Sequence, residues 1–267
     1  MKNAQPTPIE AGRAYTVKSL VKALNILEAL AEGEGSVYTL TQLSRLLRLN
    51  ISTVHRLLTN LLAHGFVEEA PGGRGYQLSF RMLRIGLGVL KRLDFRRVAE
   101  PLLWELNQQT KERVHMAILH EMRAIVIESN GSAQPAGLDV RVGEALPLHS
   151  SSVGKILLAY QKAGVLSEVA RKVGFQRFTP KTITNIANLK KELDRIREQG
   201  YALDQEETVE GLSAVAGPVF DHTGRVIAAS GVAGPGTRLT PSRLPEIARL
   251  VCSTSQQISF RLGYGGR

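Results

Sequence analysis

The chain has 267 residues, of which 43% are hydrophobic and 22% charged, and its formal net charge is +10 at pH 7. That length allows two domains with their own cores, and the positive charge favours an anionic partner such as nucleic acid. The single cysteine, Cys252, excludes a disulfide framework and a thiolate zinc cluster, and no apolar run reaches the roughly 18 residues of a membrane span. We therefore expect a cytoplasmic protein without a membrane partner, whose polar residues 1–16 form a disordered lead.

The positive charge is concentrated near the start of the chain. Residues 1–97 hold 14 Lys and Arg against 7 Asp and Glu. This asymmetry predicts an N-terminal nucleic-acid-binding segment and a more ordinary C-terminal domain. A first helix is predicted from Ser19 to the glycine at 33. The residues expected to face the core from this helix are Leu20, Leu24, Leu27 and Ala31.

Two more helices and a hairpin are predicted next. The second helix spans 41–49 and the third 51–64. Strands over 66–69 and 75–78 flank a Pro-Gly-Gly turn and form a two-stranded ribbon. Three helices followed by such a ribbon predict a winged helix-turn-helix domain over residues 17–80.

The third helix has a polar side that suits a DNA groove. Small polar residues near the start of a recognition helix reach base edges, while cations bind phosphates. The candidate DNA-binding residues are Arg45, Ser52, Thr53, His55, Arg56, Thr59 and Arg74. Asn50 is the expected N-cap of this helix, and Leu46 and Ile51 are assigned to the core side. The alternative is that the polar side chains only solvate the outside of a helix.

Residues 81–97 predict an amphipathic linker helix. Its apolar seam consists of Met82, Ile85, Val89 and Leu93. The seam either joins two subunits or packs on its own chain. Dimerisation is the favoured interpretation, because two-fold symmetry doubles the phosphate contacts. A further helix is expected to start near Pro101 and to end at Thr110.

Residues 98–267 mix strands with helices, which predicts an α+β domain. The predicted strands are 114–119, 124–128, 212–220 and 225–231, and the predicted helices are 151–161, 186–199 and 241–262. His115 and His120 lack the spacing of metal ligands, and neither a P-loop nor a nucleophile elbow is found. We expect no metal and no cofactor.

Two groups of polar residues in this domain leave alternatives open. Ser151 and its neighbours precede an apolar helix whose first amides can hold a carboxylate, although plain N-capping needs no ligand. The carboxylates Asp204, Glu206 and Glu207 can serve acid–base chemistry, but a solvated or capping role is favoured because no nucleophile accompanies them.

Five segments in order resemble the IclR family of bacterial transcriptional regulators. They are LSRLLRLNISTVHRLLTNLLAHGFVEE at 43–69, LPLHSSSVGKILLA at 146–159, TPKTIT at 179–184, GYALDQEETVEGLSAVAGPVFDHTG at 200–224 and VAGP at 232–235. The resemblance implies a winged helix-turn-helix joined by a linker helix to a GAF-like effector-binding domain. It also implies a repressor of a catabolic operon, a double-stranded palindromic operator, homodimers or homotetramers, and a small organic acid as effector.

The same resemblance implies where the effector binds. The ligand is expected to meet the amides of Ser152 and Val153, the carboxyl group of Asp204, and an apolar patch that includes Leu138 and Leu146. Family members that bind small oxo acids have a cysteine and two serines where this chain has Ala214, Gly231 and Ala233.

These departures from the family pattern predict a wider, less polar lining. We therefore expect an aromatic carboxylate or a sugar-acid derivative in place of a small oxo acid. The alternative from another class is a small-molecule-binding or catalytic domain whose N-terminal segment mediates oligomerisation.

Overall fold

The computed structural model of the protein describes residues 16–32, 37–90, 94–132, 140–162 and 164–265. The chain divides into two compact units, Met1–Arg92 (unit 1) and Leu93–Arg267 (unit 2). No helix within the described ranges combines the length and the apolar character that crossing a membrane requires. The predicted lead lies outside the described residues, except for residue 16.

Unit 1 contains the predicted three helices and wing. Its elements are α1 (Lys18–Glu32), α2 (Leu40–Leu47), α3 (Ile51–Ala63), β1 (Val67–Glu69), β2 (Tyr76–Leu78) and α4 (Phe80–Leu90). β1 and β2 are antiparallel, and Tyr38 forms a bridge to Tyr76. A Cβ atom at Gly75 would lie 2.8 Å from the carbonyl oxygen of Tyr38, so this bridge requires a glycine at the strand's start.

The core of unit 1 corrects the predicted orientation of α1. Ile26 and Leu30 are buried against Leu43, Val54 and Leu58. The predicted core residues of α1, apart from the half-buried Leu27, are exposed: Leu20 by 57% and Leu24 by 48%, together with Ala31. The helix carries two apolar stripes, and periodicity alone does not decide which one covers the core.

The segment between α2 and α3 makes the turn of the helix-turn-helix. Thr39 begins α2 with a capping box, and Arg48 ends it in the left-handed region at φ 52°. Asn50 occupies the N-cap position of α3, but its side chain makes no capping hydrogen bond. Leu46 and Ile51 were also assigned wrongly, because they are 43% and 50% exposed.

Unit 2 is a curled antiparallel sheet with helices on both faces. Its elements are α5 (Asp94–Thr110), β3 (Arg113–His120), β4 (Arg123–Asn130), β5 (Ala145–Leu146), α6 (Ser152–Ala159), α7 (Val165–Lys172), α8 (Ile186–Gln199), β6 (Ala202–Gln205), β7 (Leu212–Phe220), β8 (Val226–Pro235) and α9 (Leu244–Arg261). The strand order is β5-β4-β3-β8-β7-β6. The predicted α+β class, with a helix-turn-helix followed by a mixed domain, is confirmed.

Helix α6 and helix α9 lie on opposite faces of this sheet. α6 packs on small side chains that include Ala117, Ala216 and Ala229. On the other face, a Cβ atom at Gly217 would lie 2.7 Å from the Oγ of Ser255 in α9. α6 therefore begins over the sheet face that carries the predicted effector residues.

Three features of unit 2 differ from the predictions. Pro101 lies inside α5 rather than near its start. The helix tolerates the backbone N–H that proline lacks because Pro101 is on its exposed side, while Leu103 and Leu106 pack inward. β8 continues to Pro235 because it pairs with β3 and β7 on its two sides. The short elements β5, α7 and β6 had not been predicted.

Candidate DNA-binding surface and effector site

The polar side of α3 is turned away from the core. Val54, Leu57 and Leu58 are buried on one side of this helix. The predicted DNA-binding residues are exposed, apart from the half-buried Thr53; they are Arg45, Ser52, His55, Arg56, Thr59 and Arg74. Only Thr59 is tied to its own helix, where its hydroxyl donates a 2.9 Å hydrogen bond to the carbonyl oxygen of His55.

This surface is cationic and has free donors. Neither α2 nor α3 contains an acidic residue, while Arg45, Arg48 and Arg56 are exposed. No described residue accepts a hydrogen bond from the amide N–H of Ile51 or Ser52. A helix N-terminus with free amides is a binding site for a phosphate group.

The start of α6 forms a second set of free donors, which we call the cradle (residues 151–153). Ser151 caps the helix: its Oγ accepts a 3.1 Å hydrogen bond from the amide of Gly154 and donates one of 2.6 Å to the carbonyl oxygen of Pro147. The amides of Ser152 and Val153 have no acceptor among the described residues. N-capping therefore accounts for one amide and leaves two for a ligand.

Strand pairing brings the other predicted effector residues to the face of α6. Ala214 pairs directly with Asp204 on one side and Ala233 on the other. A Cβ atom at Gly231 would lie 3.3 Å from Cγ1 of Val153. It would also lie 2.9 Å from the carbonyl oxygen of Val215, so the expected widening is absent at this position.

The apolar patch is placed only in part. Leu146 is half-buried in β5, and β5 and β6 form the two edges of the sheet, so Leu146 lies on the edge opposite Asp204. Leu138 lies outside the described residues.

Asp204 has a capping role. Its Oδ1 accepts hydrogen bonds from the amides of Glu207 (2.8 Å) and Thr208 (3.3 Å), and burial raises the pKa of this carboxyl group. The hydroxyl of Thr208 donates a 3.1 Å hydrogen bond to the Oγ of Ser150. The loop after β6 is thereby attached to the segment that precedes the cradle.

A buried ion pair lies next to this loop. The Nζ of Lys155, whose side chain is fully buried, forms an ion pair with Glu207 and is 3.7 Å from Glu192. Burial raises the pKa of Glu207 to about 7, although the Lys155 ammonium opposes this shift. These carboxylates are therefore structural, Asp204 as a cap of the loop and Glu207 as the partner of Lys155, and the solvated interpretation is wrong for both.

Sequence reasoning missed polar residues on β3 and β4. Arg113 and His115 of β3 and Ser129 of β4 lie on the face of α6, since His115 pairs with both Gly231 and Ser129. The sheet face that α6 covers is therefore more polar than the sequence predicts. The sequence prediction weighs His115 only as a metal ligand. The alternation of side chains along β3, with a period of two, would have placed His115 and Arg113 on the same face of the sheet. Within the described ranges, no three His, Cys, Asp or Glu side chains are grouped to hold a metal ion.

Comparisons with known families match both units. The IclR helix-turn-helix domain family matches residues 19–71, and the family described as bacterial transcriptional regulator IclR C-terminal matches residues 87–260. The HTH-type transcriptional regulator KdgR of Escherichia coli (strain K12) is 34% identical over 249 residues, which cover 93% of this chain and 94% of KdgR. The transcriptional repressor IclR of that strain is 30% identical, with 99% of this chain and 96% of the repressor covered.

Solved structures of relatives have the same fold. The crystal structure of Thermotoga maritima IclR is 28% identical with a TM-score of 0.76, and covers 93% of this chain and 100% of that chain. An IclR homologue from Microbacterium hydrocarbonoxydans, crystallised with 4-hydroxybenzoate, is 25% identical with a TM-score of 0.80, covering 91% of this chain and 98% of that chain.

The matched families and relatives are transcriptional regulators that bind DNA through a helix-turn-helix, and not enzymes. The catalytic alternative is therefore wrong. This chain belongs to the IclR family of bacterial transcriptional regulators.

Proposed function

We propose that the protein represses a catabolic operon by binding a palindromic operator as a dimer or tetramer, and that a small organic acid controls this binding. The observation that carries the proposal is the exposed polar side of α3, which has Arg56 and free N-terminal amides and no acidic residue. Repression is assigned because relatives such as the E. coli IclR protein are named repressors.

On this proposal α3 lies in the major groove. Ser52, Thr53 and His55 reach base edges from the N-terminal end of the helix, and Arg56 binds a phosphate one turn along. Arg45 and Thr59 extend the contact, and Arg74 in the wing binds a phosphate or the minor groove.

The Arg56→Ala variant tests the DNA contact. Binding of the DNA upstream of the protein's own gene is measured by fluorescence anisotropy at several salt concentrations. We expect affinity to fall roughly tenfold on all sequences and the salt slope to fall by about 1, because one phosphate contact is lost. Arg171→Ala, an exposed arginine of α7, is the matched control. Equal binding by wild type and both variants would contradict the proposed surface.

Residues 81–90 of α4 are proposed to link the two units and to contribute to the dimer, whereas residues 94–97 of the predicted linker helix form the start of α5. In α4, Phe80, Leu83 and Ile85 are 78%, 55% and 49% exposed. Exposed apolar residues on one helix are typical of a protein–protein interface. The seam residue Met82 is half-buried, while the Val89 side chain and Leu93 lie outside the described residues.

The effector is proposed to bind at the cradle through its carboxylate. The amides of Ser152 and Val153 supply the donors, and Asp204, Ala214, Gly231 and Ala233 form the adjoining sheet face, while Leu146, on the other edge of the curled sheet, is assigned to the apolar part of the site. An aromatic or sugar acid is favoured over a small oxo acid, because Ala214 and Ala233 offer no side-chain hydrogen bond to a small polar ligand. The 4-hydroxybenzoate complex of the Microbacterium hydrocarbonoxydans homologue supports this class.

Calorimetry distinguishes these ligand classes. Aromatic and sugar acids are expected to bind and to change operator affinity, because a ligand alters DNA binding only if it prefers one conformation of the protein. Tight binding of glyoxylate or pyruvate, with aromatic and sugar acids inert, would contradict the assigned class. An operator affinity unchanged at saturating acid would contradict the regulatory role.

A further inference from the structure

A buried histidine that forms no hydrogen bond with any described residue lies beside the cradle. His115 is only 3% exposed, and its buried Nδ1 has no partner in the part of the chain that the structure describes. Neither ring nitrogen is hydrogen-bonded to any described residue. Buried polar groups in native proteins almost always have a partner, so an unpaired ring calls for an explanation such as a ligand.

Strand pairing fixes the direction of this side chain. His115 pairs directly with Gly231 of β8, and directly paired residues of antiparallel strands point to the same face of the sheet. Val153 touches that face at Gly231, where its Cγ1 is 3.3 Å from an added Cβ atom. The imidazole therefore lies about one strand spacing (~5 Å) from the point where a cradle residue meets the sheet.

The chemistry of the ring limits what it can bind. Burial and the nearby Arg113 guanidinium lower the pKa of His115 to about 4, so the imidazole is neutral at neutral pH. A neutral imidazole has one N–H donor and one bare nitrogen acceptor. A hydroxyl group can accept from the first or donate to the second, whereas a carboxylate can only accept.

We propose that His115 binds a hydroxyl group of the effector, so that the protein selects hydroxylated organic acids over their unsubstituted counterparts. The inference rests on the proposed function, in which the carboxylate binds at the cradle. The two ends of the ligand are then recognised by two elements: the amides of Ser152 and Val153 in α6 hold the anion, and His115 in β3 identifies the hydroxyl.

Matched pairs of acids test this proposal on the full chain. Binding of benzoate is compared with 3- and 4-hydroxybenzoate, and hexanoate with gluconate, by calorimetry on wild type, His115→Phe, His115→Gln and His120→Phe. His120 ends the same strand in an exposed position and serves as the matched control.

The expected pattern is specific to the hydroxyl group. Wild type and His120→Phe should bind at least one hydroxylated acid about tenfold tighter than its counterpart, the factor expected for one hydrogen bond in a buried site. In His115→Phe this ratio should fall to about 1 without weakening the unsubstituted acid. His115→Gln, which keeps a donor and an acceptor, should restore part of it.

Other outcomes overturn the proposal in distinguishable ways. Equal binding within every pair by wild type, or a ratio that persists in His115→Phe, would exclude hydroxyl recognition and leave effector binding intact. Failure of every acid to bind wild type would overturn both this inference and the proposed effector class. A loss of folding in both His115→Phe and His115→Gln would show that the ring is structural and would also overturn the inference.

Discussion

Lys155 shows how one buried charge determines the local structure of unit 2. Its ammonium is the cation around which Glu207, Glu192 and Asp204 are grouped, and its side chain has no exposure to water. The hydroxyls of Thr179 and Thr182 hold the backbone of the loop after β6, because they donate 2.6 Å hydrogen bonds to the carbonyl oxygens of Glu206 and Glu207, respectively. Removal of the ammonium therefore leaves buried carboxylates without compensation.

We predict that Lys155→Met destabilises unit 2 by about 3 kcal/mol, the usual cost of breaking a buried ion pair by removing one partner. Urea unfolding followed by the fluorescence of Trp104, the only tryptophan, measures the change. Lys181→Met is the matched control, because the Lys181–Glu206 ion pair is exposed and should contribute less than about 1 kcal/mol. Similar losses in both variants would contradict the prediction.

The lowered pKa of His115 in the folded protein predicts a pH dependence of stability. In the unfolded chain its pKa is near 6.5, whereas burial and Arg113 lower it to about 4 in the folded protein. Between these values the unfolded chain binds a proton at this residue more readily than the folded protein does, so the contribution of His115 to stability is lost as the pH falls from 7 to 4.5. Wild type should lose about 2–3 kcal/mol more than His115→Phe over this range. Urea unfolding at both pH values measures the difference, and parallel pH profiles would refute it.

Single residues also show where the sequence was sufficient. The outward side of α3 follows from helical periodicity, because Val54, Leu57 and Leu58 repeat at the required spacing. The crowding at Gly231 does not follow from local sequence, because it depends on Val215 of another strand and Val153 of a helix. The unpaired state of His115 is likewise a property of the whole packing arrangement.

At the scale of elements, the start of α6 depends on the absence of one side chain. A Cβ atom at Gly154 would lie 2.3 Å from the carbonyl oxygen of Pro147 and 2.7 Å from Cα of Leu148. Both contacts are with backbone, which cannot move aside as a flexible side chain can. Because Gly154 has no side chain, the start of α6 can pack directly against the backbone of Pro147 and Leu148.

We predict that Gly154→Ala lowers the stability of unit 2 by about 2–3 kcal/mol, because overpacking exceeds the gain in helix propensity. Gly86→Ala in α4 is the matched control: nothing lies within 4 Å of its added Cβ atom, so this variant should be as stable as wild type or up to about 1 kcal/mol more stable. Thermal and urea unfolding give both values. A stabilised Gly154→Ala variant would show that the helix start is not confined.

Elements with a strong local pattern were predicted best. The bounds of α8 and β7 agree with the sequence-based ranges, because one has a charged helical pattern and the other a continuous apolar run next to a turn. β6 is a four-residue edge strand whose pairing with β7 supplies most of its order, so it has little signal of its own. The orientation of α1 was predicted wrongly, because the helix has two apolar stripes and its sequence does not decide which one covers the core.

At the scale of the whole molecule, exposed apolar residues of unit 1 favour self-association. In α1, Leu20, Val21 and Leu24 are between 41% and 57% exposed, Val17 just before it is 59% exposed, and Ile85 in α4 is 49% exposed. Monomeric soluble proteins seldom leave such rows uncovered. Covering them with a second copy would also place two copies of α3 on one operator.

We predict that Ile85→Glu shifts the protein from an oligomer towards a monomer, because a charge in an apolar interface is left without compensation. Sedimentation velocity measures the mass, and operator affinity should fall at least tenfold as paired phosphate contacts are lost. Ile186→Glu in α8, which is 42% exposed, is the matched control and should leave both unchanged. A monomeric wild type would exclude the proposed assembly.

The division of the chain into two units, each with a hydrophobic cluster of its own, has a practical consequence. Residues 94–265 carry the cradle and the ion pair around Lys155, while α3 is stabilised by a separate set of apolar contacts in unit 1. If the effector binds at the cradle as proposed, a chimera that joins unit 2 to a foreign DNA-binding domain should therefore keep the ligand range of this protein, and unit 2 could be exchanged between reporter circuits.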